Sequence, residues 1–279
     1  MRLHREVLPL LGAFILCACG GAAQTTPSPA RTTPTAALAT PRMVVVDAAY
    51  AAKELGNVEA AIRSRDMDSI EFAGLGERQQ RAYHLLAAHP DWVAAVLAAV
   101  PASVRSTIQD NLTAAQQIDS LNGARSTLPH WRIIAPPSAD ALMGFYREAQ
   151  QAYGVTWQYL AAINLIETNM GRIQGLSSAG AQGPMQFMPA TWASYGNGDV
   201  NNPRDAILAA GRYLHAHGAP ADMNRAVYAY NPSWLYVRAV MAYARQMFAD
   251  SRAYFGYYNW QVYVQTTTGE VLLPEGFNG

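Results

Sequence analysis

Trp157-Gln158-Tyr159-Leu160-Ala161-Ala162-Ile163-Asn164-Leu165-Ile166-Glu167 is an apolar helical run that ends on a carboxylate. Thr156 stands at its N-cap position. A Gly/Ser-rich stretch follows, then Gln182-Gly183-Pro184-Met185-Gln186-Phe187-Met188-Pro189. Leu160, Ile163 and Glu167 fall at i, i+3 and i+7, which puts Glu167 on the apolar stripe of the helix rather than opposite it. Apolar surroundings disfavour the charged form of a carboxyl group and raise its pKa. A raised pKa keeps a proton available near neutral pH, so Glu167 is a candidate general acid. The competing reading, a solvated glutamate at a helix end, does not explain the apolar stripe.

The rest of the chain reads as mostly helical. Residues 44–65, 77–88, 91–100 and 103–121 carry helical spacing, with Pro90 and Pro101 as breaks. Pro129, Pro136 and Pro137 mark a boundary. Ser138 is placed to cap a helix over 139–153 that ends before Gly154. Further helices are expected at 190–193, 205–217, 223–230 and 233–248. After that the period changes. Trp260, Val262 and Val264 alternate with Gln261, Tyr263 and Gln265, a strand pattern that residues 266–269 can turn back into 270–273.

The chain has 279 residues, 51% of them hydrophobic, and a formal net charge of zero, which gives no sign of a nucleic-acid partner. Arg2, His4 and Arg5 precede an apolar segment from Val7 to Leu16 that is too short to span a membrane and has the layout of a secretory signal. Leu16-Cys17-Ala18-Cys19-Gly20 resembles a bacterial lipobox with Cys19 as the lipidated residue, and Cys17 stands where a small residue is usual. Both cysteines of the chain lie here, so the folded part has neither a disulfide nor a thiolate metal site. A Thr/Pro/Ala-rich segment then suits a flexible tether. The expected organisation is a signal peptide over 1–19, a tether over 20–42, helical accessory residues over 43–128, the main domain over 129–250 and a C-terminal hairpin extension over 251–279. The expected location is outside the cytoplasmic membrane, lipid-anchored and facing the cell wall.

Three motifs in order carry a family resemblance: Glu167-Thr168-x-x-Gly171-Arg172; Ser177-x-x-Gly180-Ala181-x-Gly183-x-Met185-Gln186-Phe187-Met188-Pro189-x-Thr191; and Ala229-Tyr230-Asn231. Together they resemble the lytic transglycosylases of peptidoglycan, over about residues 138–247. Asp205-Ala206-Ile207, Tyr213-Leu214 and His217-Gly218 are similar to the membrane-bound B-type branch; Met185-Gln186 and Ala229-Tyr230-Asn231 are closer to the soluble-type branch. The resemblance implies a mainly α, lysozyme-like fold and cleavage of the β-1,4 bond between N-acetylmuramic acid and N-acetylglucosamine, leaving 1,6-anhydromuramyl ends. It places the catalytic acid at Glu167 and substrate contacts at Ser177, Gln186, Tyr230 and Asn231, with glycan strands as the partner and no cofactor.

Each of these residues also has a structural reading. Ser177 can serve as a turn residue, Gln186 as a satisfied core amide, and Asn231 as a helix terminator before Pro232. The Tyr230 hydroxyl, if buried, needs a partner, and Glu167 is the expected one. Trp192, Tyr195, Trp234 and Tyr236 can stack on sugars but also suit a core. The loop from Asn197 to Asn202 lacks the repeated acids and terminal Glu of a calcium site, so no metal is expected.

Ordinary glycosidases use two carboxyl groups about 5–9.5 Å apart. No Asp or Glu occurs between Thr168 and Gly198, which suits a mechanism in which the substrate supplies the second group. The alternatives are a hydrolytic muramidase of the same fold and a non-catalytic wall-binding lipoprotein. The pattern departs from the soluble-type branch at Thr168 (usually Ser), at Pro184 (usually Leu) and at Pro232-Ser233 (usually a glycine two places after the asparagine).

Overall fold

The structure is a computed structural model that describes residues 46–64 and 69–279. The expected signal segment, the lipidation site Cys19 and the tether lie outside the described residues. Among the latter there are eleven α-helices and two short antiparallel sheets, and no helix is long and apolar enough to cross a membrane.

The first helices are α1 (Ala48–Ser64), α2 (Ser69–Ala88), α3 (Val93–Ala99) and α4 (Ala102–Asn122), with a 3-10 turn at Pro90–Trp92 between α2 and α3. The prolines break the chain where the sequence implies. The exception is α2, which starts eight residues before the expected Glu77 and runs through Gly74 and Gly76. Gly76 is there for a close approach: a Cβ would lie 2.7 Å from the Gly256 carbonyl oxygen and 2.6 Å from Asn259 Cβ. A residue that reads as a helix breaker instead lets two backbones meet.

The remaining helices are α5 (Ala139–Tyr153), α6 (Trp157–Thr168), α7 (Pro189–Tyr195), α8 (Pro203–Ala216), α9 (Met223–Tyr230), α10 (Trp234–Ala249) and α11 (Ala253–Tyr258). Ser138 caps α5 as expected, accepting from Ala141 N at 3.2 Å, and Gly154 ends it in the left-handed conformation. Thr156 does not cap α6 with its side chain. The first free amide of that helix, Trp157 N–H, donates instead to Gln150 Oε1 at 2.8 Å. α11, six residues long, is too short to carry a periodic signal; buried Tyr254 and Tyr257 hold it in place.

β3 (Val262–Thr266) and β4 (Gly269–Leu273) form the expected hairpin, with Val262 opposite Leu273 and Val264 opposite Val271. Its inner face packs on Ile133. A second pair, β1 (Arg132–Ile133) and β2 (Ile173–Gln174), is too short to leave a sequence pattern. The hairpin edge is continued by Arg125, whose N–H donates to Gln265 O and whose carbonyl accepts from Thr267 N, both at 2.9 Å.

One buried apolar cluster runs from Ala51 to Trp260. Within it α10 packs most extensively on α4 and α6. A buried polar network ties α1, α2, α4 and α11 together. Fully buried Glu59 accepts from Gln79 Nε2 (3.0 Å), Asn111 Nδ2 (3.2 Å), Tyr83 Oη and Arg63. Asn111 Oδ1 accepts from Tyr257 Oη at 2.6 Å, and Gln79 Oε1 from Trp260 Nε1 at 2.9 Å. Removing the central acceptor strands several buried donors. Glu59→Ala is therefore expected to lower unfolding free energy by about 3–5 kcal/mol in urea titration, and a loss near zero would contradict this role.

Candidate active site

α6 is buried nearly all round, through Leu160, Ala161, Ala162, Ile163, Asn164, Leu165 and Thr168. It ends abruptly. Asn169 (φ 51°) and Met170 (φ 62°) are successive non-glycine residues in the left-handed region, followed by Gly171 at φ 89°. Such a run is sterically unfavourable and needs support. Asn164 Nδ2 donates to Pro184 O at 2.8 Å, and Asn164 Oδ1 accepts from Tyr146 Oη at 2.6 Å. Thr168 Oγ1 donates to the same Pro184 carbonyl at 2.6 Å and accepts from Gly171 N at 3.1 Å. The hydroxyl that departs from the usual serine at 168 thus fastens the loop carrying Gln186 to the helix carrying Glu167. Sequence reading missed Tyr146 and Asn164; an asparagine inside an otherwise apolar helix was the available signal.

Glu167 lies half-buried on the wall of a cleft of about 380 Å³. Tyr236, from α10, donates its hydroxyl to Glu167 Oε1 at 2.5 Å. Burial pushes the Glu167 carboxyl from 4.5 up to about 7, with the Tyr236 hydrogen bond pulling the other way. Tyr236 itself is pushed far above its ordinary range by burial and by the Glu167 charge, so it stays a donor. The expected Tyr230–Glu167 bond is corrected here. Tyr230 Oη donates to Met185 O at 2.5 Å, because α9 points it at the 182–187 loop. Its ring lies parallel to that of Tyr236 with centroids 6.5 Å apart. Tyr230 lines a smaller adjoining cavity of about 120 Å³ with Gln186 and Phe187 rather than the main cleft.

Ser177, Gln186 and Asn231 line the main cleft with Glu167. Ser177 is also a turn residue: Oγ accepts from Ala179 N (3.2 Å) and Ala181 N (3.0 Å), which leaves its proton to donate. Gln186 has a left-handed backbone (φ 50°) at the end of a loop closed by the Gln182–Phe187 bridge. Its Nε2 donates to Gly183 O at 2.9 Å. Gly183 (φ 72°) is required, since a Cβ would come within 2.0 Å of Val200 O. Asn231 terminates α9, and its carboxamide has no hydrogen bond among the described residues.

More than half of the cleft lining comes from outside this helical centre, from α2, α4, the segment around Trp131 and residues 260–270. It includes two further carboxyl groups, Asp119 and Glu270. Glu270 meets His84 Nδ1 at 2.5 Å. Asp119 is raised by burial and then by Glu270, with His84 opposing. The influences on Glu167 are burial and Tyr236, and no carboxylate is among them. The carboxylates at the 197–202 loop are taken up by its amides: Asp205 Oδ2 accepts from Asp199 N at 3.1 Å and Asp199 Oδ1 from Asn201 N at 2.9 Å. Among the described residues no group of three His, Cys, Asp or Glu is placed to hold a metal.

The body is mostly helical with a small two-stranded hairpin, as in the lysozyme-like fold. Residues 144–247 match the family model of the transglycosylase SLT domain. That stretch, which includes Glu167, Ser177, Gln186 and Asn231, is thus similar to a transglycosylase SLT domain. Comparison with curated proteins and with solved structures returned no match.

The raised pKa has a consequence for stability. In the fold Glu167 holds its proton up to about pH 7, whereas its ordinary value is 4.5. The stabilisation is complete below pH 4.5 and is lost as pH rises through 7. Glu167→Gln is neutral throughout, so it should be more stable than wild type at pH 8 by about 2–3 kcal/mol, with the gap closing by pH 4. Thermal and urea unfolding across this range would show it, and a gap independent of pH would contradict it.

Proposed function

We propose that this protein cleaves the N-acetylmuramic acid–β-1,4–N-acetylglucosamine bond of peptidoglycan without water, with Glu167 as acid and then base. The observation that carries this reading is the half-buried Glu167 carboxyl group, raised to about 7 and held by one donor on the wall of a cleft, with no other carboxylate acting on it. Tyr236 occupies Oε1, which leaves Oε2 to hold the mobile proton. Protonated Glu167 gives that proton to the bridging oxygen as the C1–O bond breaks. The substrate's own 2-acetamido group stabilises the cation at C1, as in substrate-assisted glycosidases. Glu167, now a carboxylate stabilised by the Tyr236 hydroxyl, takes the proton of the muramoyl 6-hydroxyl as that oxygen bonds to C1. The proton balance returns to its start and the product is a 1,6-anhydro ring.

Ser177, Gln186 and Asn231 are the substrate-positioning set. Tyr230 acts at one remove, bracing the Met185 carbonyl and the Tyr236 ring. A hydrolytic muramidase is the second reading, because Asp119 and Glu270 share the cleft. Their electrostatic partners are each other and His84 rather than Glu167, which favours the anhydro route.

Mass spectrometry of peptidoglycan digests separates the two. Wild type should release ends lighter by one water than hydrolytic products, and Glu167→Gln should lower the rate by at least about 10²-fold. Reducing ends would establish the muramidase instead. No release by the wild type would favour a non-catalytic wall-binding role.

A further inference from the structure

Beside the catalytic cleft lies a second cavity of about 390 Å³. Arg125, Trp131, Ser177 and Ser178 line both, so the two are continuous past Trp131. Arg125 is fixed from two directions. Its backbone is paired into the hairpin edge, and its guanidinium lies over the Trp131 ring, 5.2 Å from the centroid. Trp131 is in turn held by an Nε1–H bond to Leu176 O at 3.4 Å. Gly175 allows that approach, since a Cβ there would sit 2.8 Å from Trp131 Cδ1.

No carboxylate lines this side cavity, and Arg125 makes no ion pair among the described residues. A guanidinium held in place by an aromatic ring and left without a carboxylate is a preformed fork for one. His130 and Ser178 add polar groups. Leu128 and Leu176 are 40% and 62% exposed, an apolar border beside the charge. Exposed leucines next to an unpaired arginine fit a ligand that is both anionic and rich in small apolar groups.

We propose that this cavity binds the peptide stem of the muramoyl residue whose glycan strand occupies the cleft, with Arg125 receiving a stem carboxylate. The inference rests on peptidoglycan being the substrate. The stem hangs from the lactyl group of muramic acid as a short peptide of small side chains and free carboxylates. Its attachment point lies on the sugar chain, so a cavity opening directly off the glycan cleft is where it must go. The cavity is built largely by residues 125–131, outside the SLT match at 144–247. The segment before the catalytic domain therefore selects for peptide-bearing strands.

The test is binding in a Glu167→Gln background, where the ligand is not consumed. Calorimetry would compare a disaccharide peptide with the same molecule after its peptide carboxylates are converted to amides. The native ligand should bind roughly tenfold tighter, the value of one charge-assisted contact. Arg125→Gln should bind both ligands alike, while Arg125→Lys should keep part of the difference. A difference that survives in Arg125→Gln, or that is absent in the parent, would overturn the proposal. The outcome is separable from the catalytic reading. A wild type that forms no anhydro ends but keeps the affinity difference would sink the catalysis and leave the stem site standing.

Discussion

The hydrogen bond from Tyr236 to Glu167 is the contact around which the site is arranged. It joins α10 to the last turn of α6 and fixes one carboxyl oxygen while leaving the other free. Burial and this bond act in opposite directions on the same group. Burial alone favours the neutral acid; the tyrosine favours the carboxylate. Their balance, near pH 7, suits the proposed role, in which the group gives up a proton and takes one back.

The surrounding polar contacts keep that pair in position. Thr168 and Asn164 both hold the Pro184 carbonyl, and Tyr230 holds the Met185 carbonyl next to it. Two neighbouring carbonyls of one loop are therefore tied to α6 and α9, and Gln186 follows immediately in a left-handed conformation. The Glu59–Asn111–Tyr257 network does the same on a larger scale. It fastens α1, α2 and α4 to α11, from which the hairpin leaves toward the cleft. The opposite wall of the cleft is thus held by buried hydrogen bonds as well as by apolar packing.

The helices and the closing hairpin were legible because amphipathic spacing, prolines and alternation are local signals. Glu167 was legible because its stripe is local too. What stayed hidden depends on contacts between distant segments. Tyr230 and Tyr236 lie six residues apart on different helices, and only the packing of α9 against α10 decides which hydroxyl reaches the acid. The expected helix began at Glu77 because the close approach of α11, which Gly76 permits, cannot be seen from α2. The far wall of the cleft brings His84, Asp119, Trp131 and Glu270 together, and no spacing rule connects such positions. Thr156 sat at the N-cap position, yet its side chain makes no capping bond, and Gln150 from the preceding helix accepts from the first amide of α6.

The proposed acid role requires that Glu167 keep its proton near neutral pH. Carbon-13 NMR of glutamate-labelled protein, with Glu167→Gln used to assign the resonance, measures this directly. A side-chain carboxyl titrating with a midpoint near 7 is the predicted result. A midpoint near the ordinary 4.5 would show a solvated carboxylate and contradict the acid role.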